Sequence, residues 1–225
     1  MKFEFIRSMI IVPIENRKYL IDTGCGLSFS LVGENIDVVI NDTTYHLKPH
    51  YVAGKTNEAL AHLMPNQKID GLIGLDIISK TNLSIDYLNQ EIYFDLVKPS
   101  YDIERFTIPF EINMGHIYID LKLKAGRMYA ILDSGAEIGF VKSKYLDLNC
   151  PIEEYDDYSP ELGHMSGNVY LLDEPFNGDG LKVGILPKQY ESFCDGILSL
   201  YDLVRPGFCS FNFELNQLEF TRRFL

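Results

Sequence analysis

Two short acidic loops hold the side chains best suited to chemistry. The first lies in YLIDTGCGLSF, Tyr19 to Phe29, and the second in YAILDSGAEIGF, Tyr129 to Phe140. In each, an apolar run leads straight into Asp-(Thr/Ser)-Gly: Asp22-Thr23-Gly24 and Asp133-Ser134-Gly135. A carboxylate at the end of a buried strand is costly unless donors reach it. Gly24 and Gly135 permit tight turns that aim backbone N–H groups at the carboxylate. The hydroxyls of Thr23 and Ser134 can bond across to the opposite loop. Two facing carboxyls cannot both ionise cheaply, so they would share a proton. The ionised member could then draw a proton from a water held between them, while the protonated member polarises a carbonyl. Such chemistry requires neither a metal nor a covalent intermediate, and the sequence leaves open which aspartate starts with the proton. Alone, either tripeptide is an ordinary turn; the surrounding elements give the pair its meaning.

Those elements recur in order. After each loop comes an Asp-Gly-apolar-apolar segment, IDGLIGLDII at Ile69 to Ile78 and CDGILSLYDL at Cys194 to Leu203. Each is followed by a Ser-bearing strand with an Asn-Gln turn, SIDYLNQEIYF at Ser84 to Phe94 and SFNFELNQLEF at Ser210 to Phe220. Alternation around Asn89-Gln90 and Asn216-Gln217 fits β-hairpins with one buried face. Three matches in one order point to an internal duplication. The second copy is longer between its landmarks, with the excess in the turn-rich YDDYSPELGHMSGN and DEPFNGDG. Helix is scarce: Ala53 to Met64 is one candidate, and Leu75 to Lys80 and Leu200 to Val204 are two shorter ones. The halves divide as 1–98 and 107–225, with a linker at 99–106 where Pro99 and Ser100 break the strand pattern.

With these segments assembled, the chain resembles the pepsin/retropepsin-like aspartic peptidase superfamily, as a compact single-chain two-lobed member nearest the retropepsin-like bacterial proteins. Ile21-Asp22-Thr23-Gly24 and Leu132-Asp133-Ser134-Gly135 match the family's first signature, and Leu72-Ile73-Gly74 its second, an apolar pair and Gly in a psi-shaped loop. The resemblance implies an all-β acid-protease fold: two homologous β-barrel-like lobes related by an approximate twofold axis. It also implies an aspartic endopeptidase with Asp22 and Asp133 as catalytic residues and Thr23, Gly24, Ser134 and Gly135 as supporting loops. Two departures stand out. Ser199 occupies the usual glycine position of the second psi segment and is small enough to fit, and Cys25 follows the first triplet. Such enzymes cover the cleft with a hairpin flap. In VVINDTTYHL the candidate flap residue is Tyr45, although packing elsewhere is the commoner fate of a tyrosine. GHMSGNVY, Gly163 to Tyr170, is a second candidate hairpin with its tip between two glycines.

Composition narrows the remaining classes. Hydrophobic residues at 46% and charged residues at 23% describe a core-forming chain, and 14 Tyr and 14 Phe favour sheet. A formal net charge of -12 repels phosphate backbones, so no nucleic-acid partner is expected. The longest apolar run near the N-terminus, Met9 to Val12, is too short for a signal or a span. The expected protein is cytoplasmic, has no membrane partner and acts on a peptide or protein substrate. One chain holds both aspartates, so a monomer suffices for the dyad. Cys25, Cys150, Cys194 and Cys209 form no C-x-x-C pair and are expected to be reduced. His46, His50, His62, His116 and His164 show no H-E-x-x-H or H-x-H spacing, so no metal or cofactor is expected, and none of them is tied to Cys25 as a nucleophilic pair. Asp70 and Asp195 read as turn residues, and Asp76 and Asp202 as residues that cap or stabilise a short helix. Two further classes stay open: a catalytically silent peptide-binding protein that keeps the fold, and a structural protein whose Asp-Gly loops are only turns.

Overall fold

Alternating apolar residues and abundant rings make a chain of short strands, and 49% of the residues lie in strands against 14% in helices, so the fold is mostly β. The computed structural model describes residues 1–97, 104–173, 176, 180–204 and 207–221. The first half contains β1 (Glu4–Ile6), β2 (Met9–Ile14), β3 (Arg17–Ile21), β4 (Phe29–Ser30), β5 (Ile36–Ile40), β6 (Thr43–Leu47), α1 (Ala53–Leu63), β7 (Gly71–Ile73), α2 (Leu75–Thr81), β8 (Leu83–Asp86) and β9 (Glu91–Tyr93). The second contains β10 (Arg105–Asn113), β11 (His116–Leu123), β12 (Gly126–Asp133), β13 (Gly139–Val141), β14 (Glu153–Ser159), β15 (Gly163–Leu172), β16 (Leu181–Ile185), β17 (Gly196–Ser199), α3 (Leu200–Val204), β18 (Phe208–Asn212) and β19 (Gln217–Thr221).

The strands that end in the acidic loops are paired in the same manner. In the first half β3 lies parallel to β7, and β7 is antiparallel to β4. In the second, β12 lies parallel to β17, and β17 is antiparallel to β13. Leu20 stands opposite Leu72, and Ile131 opposite Ile197. The two-residue period of each strand splits its side chains between two cores. Tyr19 and Ile21, like Ala130 and Leu132, enter the main core, which both halves share. Leu20 and Ile131 face the opposite way, into two smaller clusters. Both Asn-Gln hairpins form, with the equivalent residues Gln90 and Asn216 taking up the left-handed turn position.

Several expectations need correction. The sheets, ordered β1-β2-β3-β7-β4, β5-β6 and a twelve-stranded run from β14 to β9, are open, and no closed barrel occurs among the described residues. The long sheet also crosses the expected boundary between halves, because β8 pairs antiparallel with β18, Ser84 opposite Ser210. Their Oγ atoms lie 2.8 Å apart. Most of the 99–106 linker lies outside the described residues, and its last two, Arg105 and Phe106, already belong to β10. Most of DEPFNGDG also lies outside them. YDDYSPELG is largely strand, because β14 is a sheet edge whose acidic residues face solvent while Asp157 turns inward. Asp76 does not cap α2; it accepts hydrogen bonds from Ser28 N and Oγ at 2.8 and 2.5 Å. All four cysteines are free. Among the described residues, no helix is long and apolar enough to cross a membrane.

Candidate active site

The two acidic loops meet at the base of a cleft of about 840 Å³. They are tied together by a reciprocal set of hydrogen bonds. Thr23 N–H donates to Ser134 Oγ, and Ser134 N–H donates to Thr23 Oγ1, both at 2.9 Å. The hydroxyls continue inward, Thr23 Oγ1 to the Leu132 carbonyl at 3.1 Å and Ser134 Oγ to the Ile21 carbonyl at 3.0 Å. Thr23 and Ser134 are buried at 0% and 1% exposure, so every donor and acceptor of this lattice needs a protein partner, and each has one.

The lattice fixes the aspartates beside it. Gly24 N–H donates to Asp22 Oδ1 at 2.9 Å, and Gly135 N–H to Asp133 Oδ1 at 2.7 Å. Each glycine also presses on the opposite carboxyl: a Cβ at Gly24 would lie 2.3 Å from Asp133 Cγ, and one at Gly135 2.9 Å from Asp22 Cγ. Glycine is therefore a requirement of the approach. The two aspartate side chains share a hydrogen bond. Burial and the neighbouring Asp133 carboxyl hold Asp22 well above the usual carboxylate range, against the pull of the Gly24 N–H. Burial also raises Asp133, opposed by the Gly135 N–H, the Asp22 side chain and the nearby His116. His116 opens β11, just after the β10–β11 turn, and donates from Nδ1 to the Gly24 carbonyl at 2.7 Å.

Asp70 and Asp195 are more than turn residues. Each exchanges two hydrogen bonds with the strand that leads to a catalytic-loop candidate. Asp70 N–H donates to the Lys18 carbonyl at 2.8 Å, and Lys18 N–H to Asp70 Oδ2 at 3.0 Å. Asp195 N–H donates to the Tyr129 carbonyl at 2.7 Å, and Tyr129 N–H to Asp195 Oδ2 at 3.3 Å. Lys18 and Tyr129 both stand four residues before their loop aspartate. These pairs hold the psi segments in register with β3 and β12.

The cleft walls differ from expectation. Tyr45 does not line the cleft: the inner face of the β5–β6 hairpin, Ile36, Val38, Ile40 and Leu47, is committed to the main core, and the Tyr45 ring packs against it near Lys80. The wall on that side is α1, through Lys55, Thr56 and Ala59. The opposite wall is the β14–β15 hairpin, which does reach the cleft. Its tip is Pro160, Glu161 and Leu162, ahead of Gly163, instead of the stretch between Gly163 and Gly167. The hairpin touches α1 where the Tyr158 ring lies 5.1 Å from that of His62. His62, Asp156 and His164 converge at this contact. Their wide separation in sequence hid this; only the hairpin reading of residues 153–172 would have hinted at it.

Cys25 lines the cleft, with Sγ 3.2 Å from the Leu27 carbonyl. Burial pushes its thiol up to about 12, and the Asp22 charge adds to the shift, so little of the nucleophilic thiolate is present near neutral pH. Compared with known proteins, the chain matches no family model and no curated sequence.

Proposed function

We propose that the chain is an aspartic endopeptidase in which Asp22 and Asp133 activate a water between them to hydrolyse a peptide bond. The observation that carries this reading is the reciprocal Thr23–Ser134 lattice, which sets two glycines against two half-buried, facing carboxyls. Turns that merely connect strands have no use for such an arrangement. In this mechanism the pair shares one proton, and the ionised member acts as base on the water. The protonated member then donates to the peptide carbonyl as the tetrahedral intermediate forms. The cleft lies within the range of volumes that hold small ligands, and a peptide lying along it would meet both halves.

The reading takes the molecule as two related lobes, 1–98 and 107–225, about an approximate twofold axis, in the manner of retropepsin-like proteins. The matched parallel pairings of β3 with β7 and β12 with β17 support it, as does the self-pairing of the equivalent residues Ser84 and Ser210. A peptide library sampled by mass spectrometry from roughly pH 3 to 8 tests the function. Wild type should cleave internal bonds, and Asp22→Asn and Asp133→Asn should each lose at least about a hundredfold in rate, with little further loss in the double variant. Cys25→Ser should stay active. Cleavage by Asp133→Asn would sink the two-carboxylate mechanism, and binding without cleavage by wild type would favour a silent peptide-binding protein.

A further inference from the structure

The contact between α1 and the β14–β15 hairpin brings together two imidazoles and a carboxylate from both sides of the cleft. His62 lies in the last turn of α1, and Asp156 and His164 lie on facing strands of the hairpin. Asp156 Oδ1 is 3.0 Å from His164 Nε2 and 3.8 Å from His62 Nε2. All three ligand atoms fall within 4.8 Å of one another. Imidazole nitrogens and a carboxylate oxygen bonded to zinc at about 2.0–2.2 Å in a tetrahedron stand roughly 3.3 Å apart. The observed spacing brackets that value, and small rotamer changes would bring the set onto it. All three side chains are exposed, so an ion can enter without unfolding anything, and water can complete the coordination. The acidic chain as a whole also favours cations over anions.

We propose that His62, Asp156 and His164 form a binding site for one divalent transition-metal ion of the zinc type, and that the ion fastens the hairpin to α1 across the cleft. Two ligands on the hairpin and one on the helix make it a clasp: binding is complete only when the two walls touch. The Tyr158 ring, packed against that of His62, already holds the walls in that relation. A clasp at this place would restrict entry to the cleft. That consequence rests on the cleft being the working site, whereas the metal site itself does not depend on peptidase activity.

The full chain, stripped with a chelator and dialysed, should be titrated with zinc by calorimetry and with cobalt(II) by visible absorption. The expected result is one ion per chain, with the intense absorption of tetrahedral cobalt. His62→Ala and His164→Ala should each weaken binding at least about tenfold, the scale on which even outer-shell partners count, while His46→Ala, on the far hairpin, should change nothing. Hydrogen exchange with zinc present should slow in residues 53–63 and 153–172 together. Absence of saturable binding would reduce the cluster to an ion pair between His164 and Asp156 and overturn the proposal. Binding indifferent to His62→Ala would overturn the clasp, as would protection confined to the hairpin. All three positions are exposed, so the variants should fold; unchanged circular dichroism and melting would check this.

Discussion

The stretch from β3 to β7 and the stretch from β12 to β17 begin and end alike but differ in between. Both begin on a strand running into an aspartate, and both return through an Asp-Gly pair bonded to the residue four before that aspartate. Between these points the first half lays down a short hairpin on the core and then an eleven-residue helix. The second half extends its hairpin to the cleft and, among the described residues, has two short 3-10 turns, Ser143–Tyr145 and Lys188–Tyr190, in place of the helix. The difference shows which parts answer to each other. The loops at the cleft floor bond reciprocally, so a change in one must be matched in the other. The walls meet only at their far ends, so one can be a helix and the other a hairpin.

The sharpest way to break the likeness of the floors is to fill a glycine. Gly24→Ala would set a methyl 2.3 Å from Asp133 Cγ, and Gly135→Ala one 2.9 Å from Asp22 Cγ. Neither carboxyl can retreat without leaving its N–H donor. An ångström of misplacement at reacting groups can cost about a hundredfold in rate, so both variants should lose at least that much peptide hydrolysis. Gly24→Ala should be the worse and should also lower the melting temperature more. Equal, near-normal activity in both would show that the carboxyls do not need their present approach.

Removing the lattice tests the same likeness through stability. Ser134→Ala leaves Thr23 N–H and the Ile21 carbonyl without this partner, and Thr23→Val does the same to Ser134 N–H and the Leu132 carbonyl. Buried groups left unpaired cost about 1–3 kcal/mol each. Denaturant unfolding should find the two single variants similarly destabilised and the double variant well short of their sum, because each hydroxyl holds the loop that carries the other and losing one loosens the geometry of both. Simple additivity would mean that the two halves are not coupled here.

How much of this was legible in the sequence follows the same division. The floor is written locally: Asp22-Thr23-Gly24, Asp133-Ser134-Gly135 and both Asp-Gly segments each specify a turn within a few residues, and all three helices lie close to where their apolar spacing puts them. The walls depend on tertiary packing. Tyr45 has the alternation of a flap strand, but nothing local shows that Ile36, Val38 and Ile40 would draw its hairpin onto the core. In YDDYSPELG the acidic residues suggested a loop, yet an edge strand tolerates them on its solvent side. Glycine drew the hairpin tip too far along, since Gly163, with φ 74°, closes the turn and does not flank its centre. The convergence of His62 with His164 has no local signature at all.

The acidic residues of the floor and of its support should also respond to pH in opposite senses. Asp22 and Asp133 are raised in the folded chain, chiefly by burial. Above the reference value of 3.8 the folded state therefore keeps protons that the unfolded chain has released, so their contribution to stability falls as pH rises through the folded values. Burial alone would raise Asp195 too, but Lys142, Tyr145 and Lys144 outweigh it and hold it low. Its contribution is present above 3.8 and is lost as pH falls through the depressed value. Asp22→Asn should thus raise stability near neutrality and flatten the decline that sets in as pH rises above 3.8. Asp195→Asn should lower stability near neutrality. Melting curves from acid to neutral pH would decide it, and an Asp22→Asn protein that is less stable at pH 7 would contradict the assignment of burial as the leading cause.

The smallest effect concerns the floor position where one half has glycine and the other a side chain. Gly74 admits no side chain, because a Cβ there would lie 2.6 Å from the Cys25 carbonyl oxygen and 2.8 Å from that of Leu27. The equivalent Ser199 holds a side chain at 2% exposure, so the second loop stands slightly further off. The hydroxyl gains nothing from that space: its oxygen is buried with no hydrogen-bond partner among the described residues. Ser199→Ala removes an unpaired polar atom and keeps the Cβ that the site accommodates, so it should stabilise the chain by about 1 kcal/mol. In a chain of this size that corresponds to about 2–4 °C in melting temperature. Ser199→Gly also removes the hydroxyl but adds backbone freedom to the unfolded chain, at a cost of roughly 0.5–1 kcal/mol, and should come out near neutral. Gly74→Ser should be destabilising by far more than either gain. If Ser199→Ala instead lowers the melting temperature, the hydroxyl has a partner in solution, such as a bound water, and the two psi segments differ in hydration as well as in side chain.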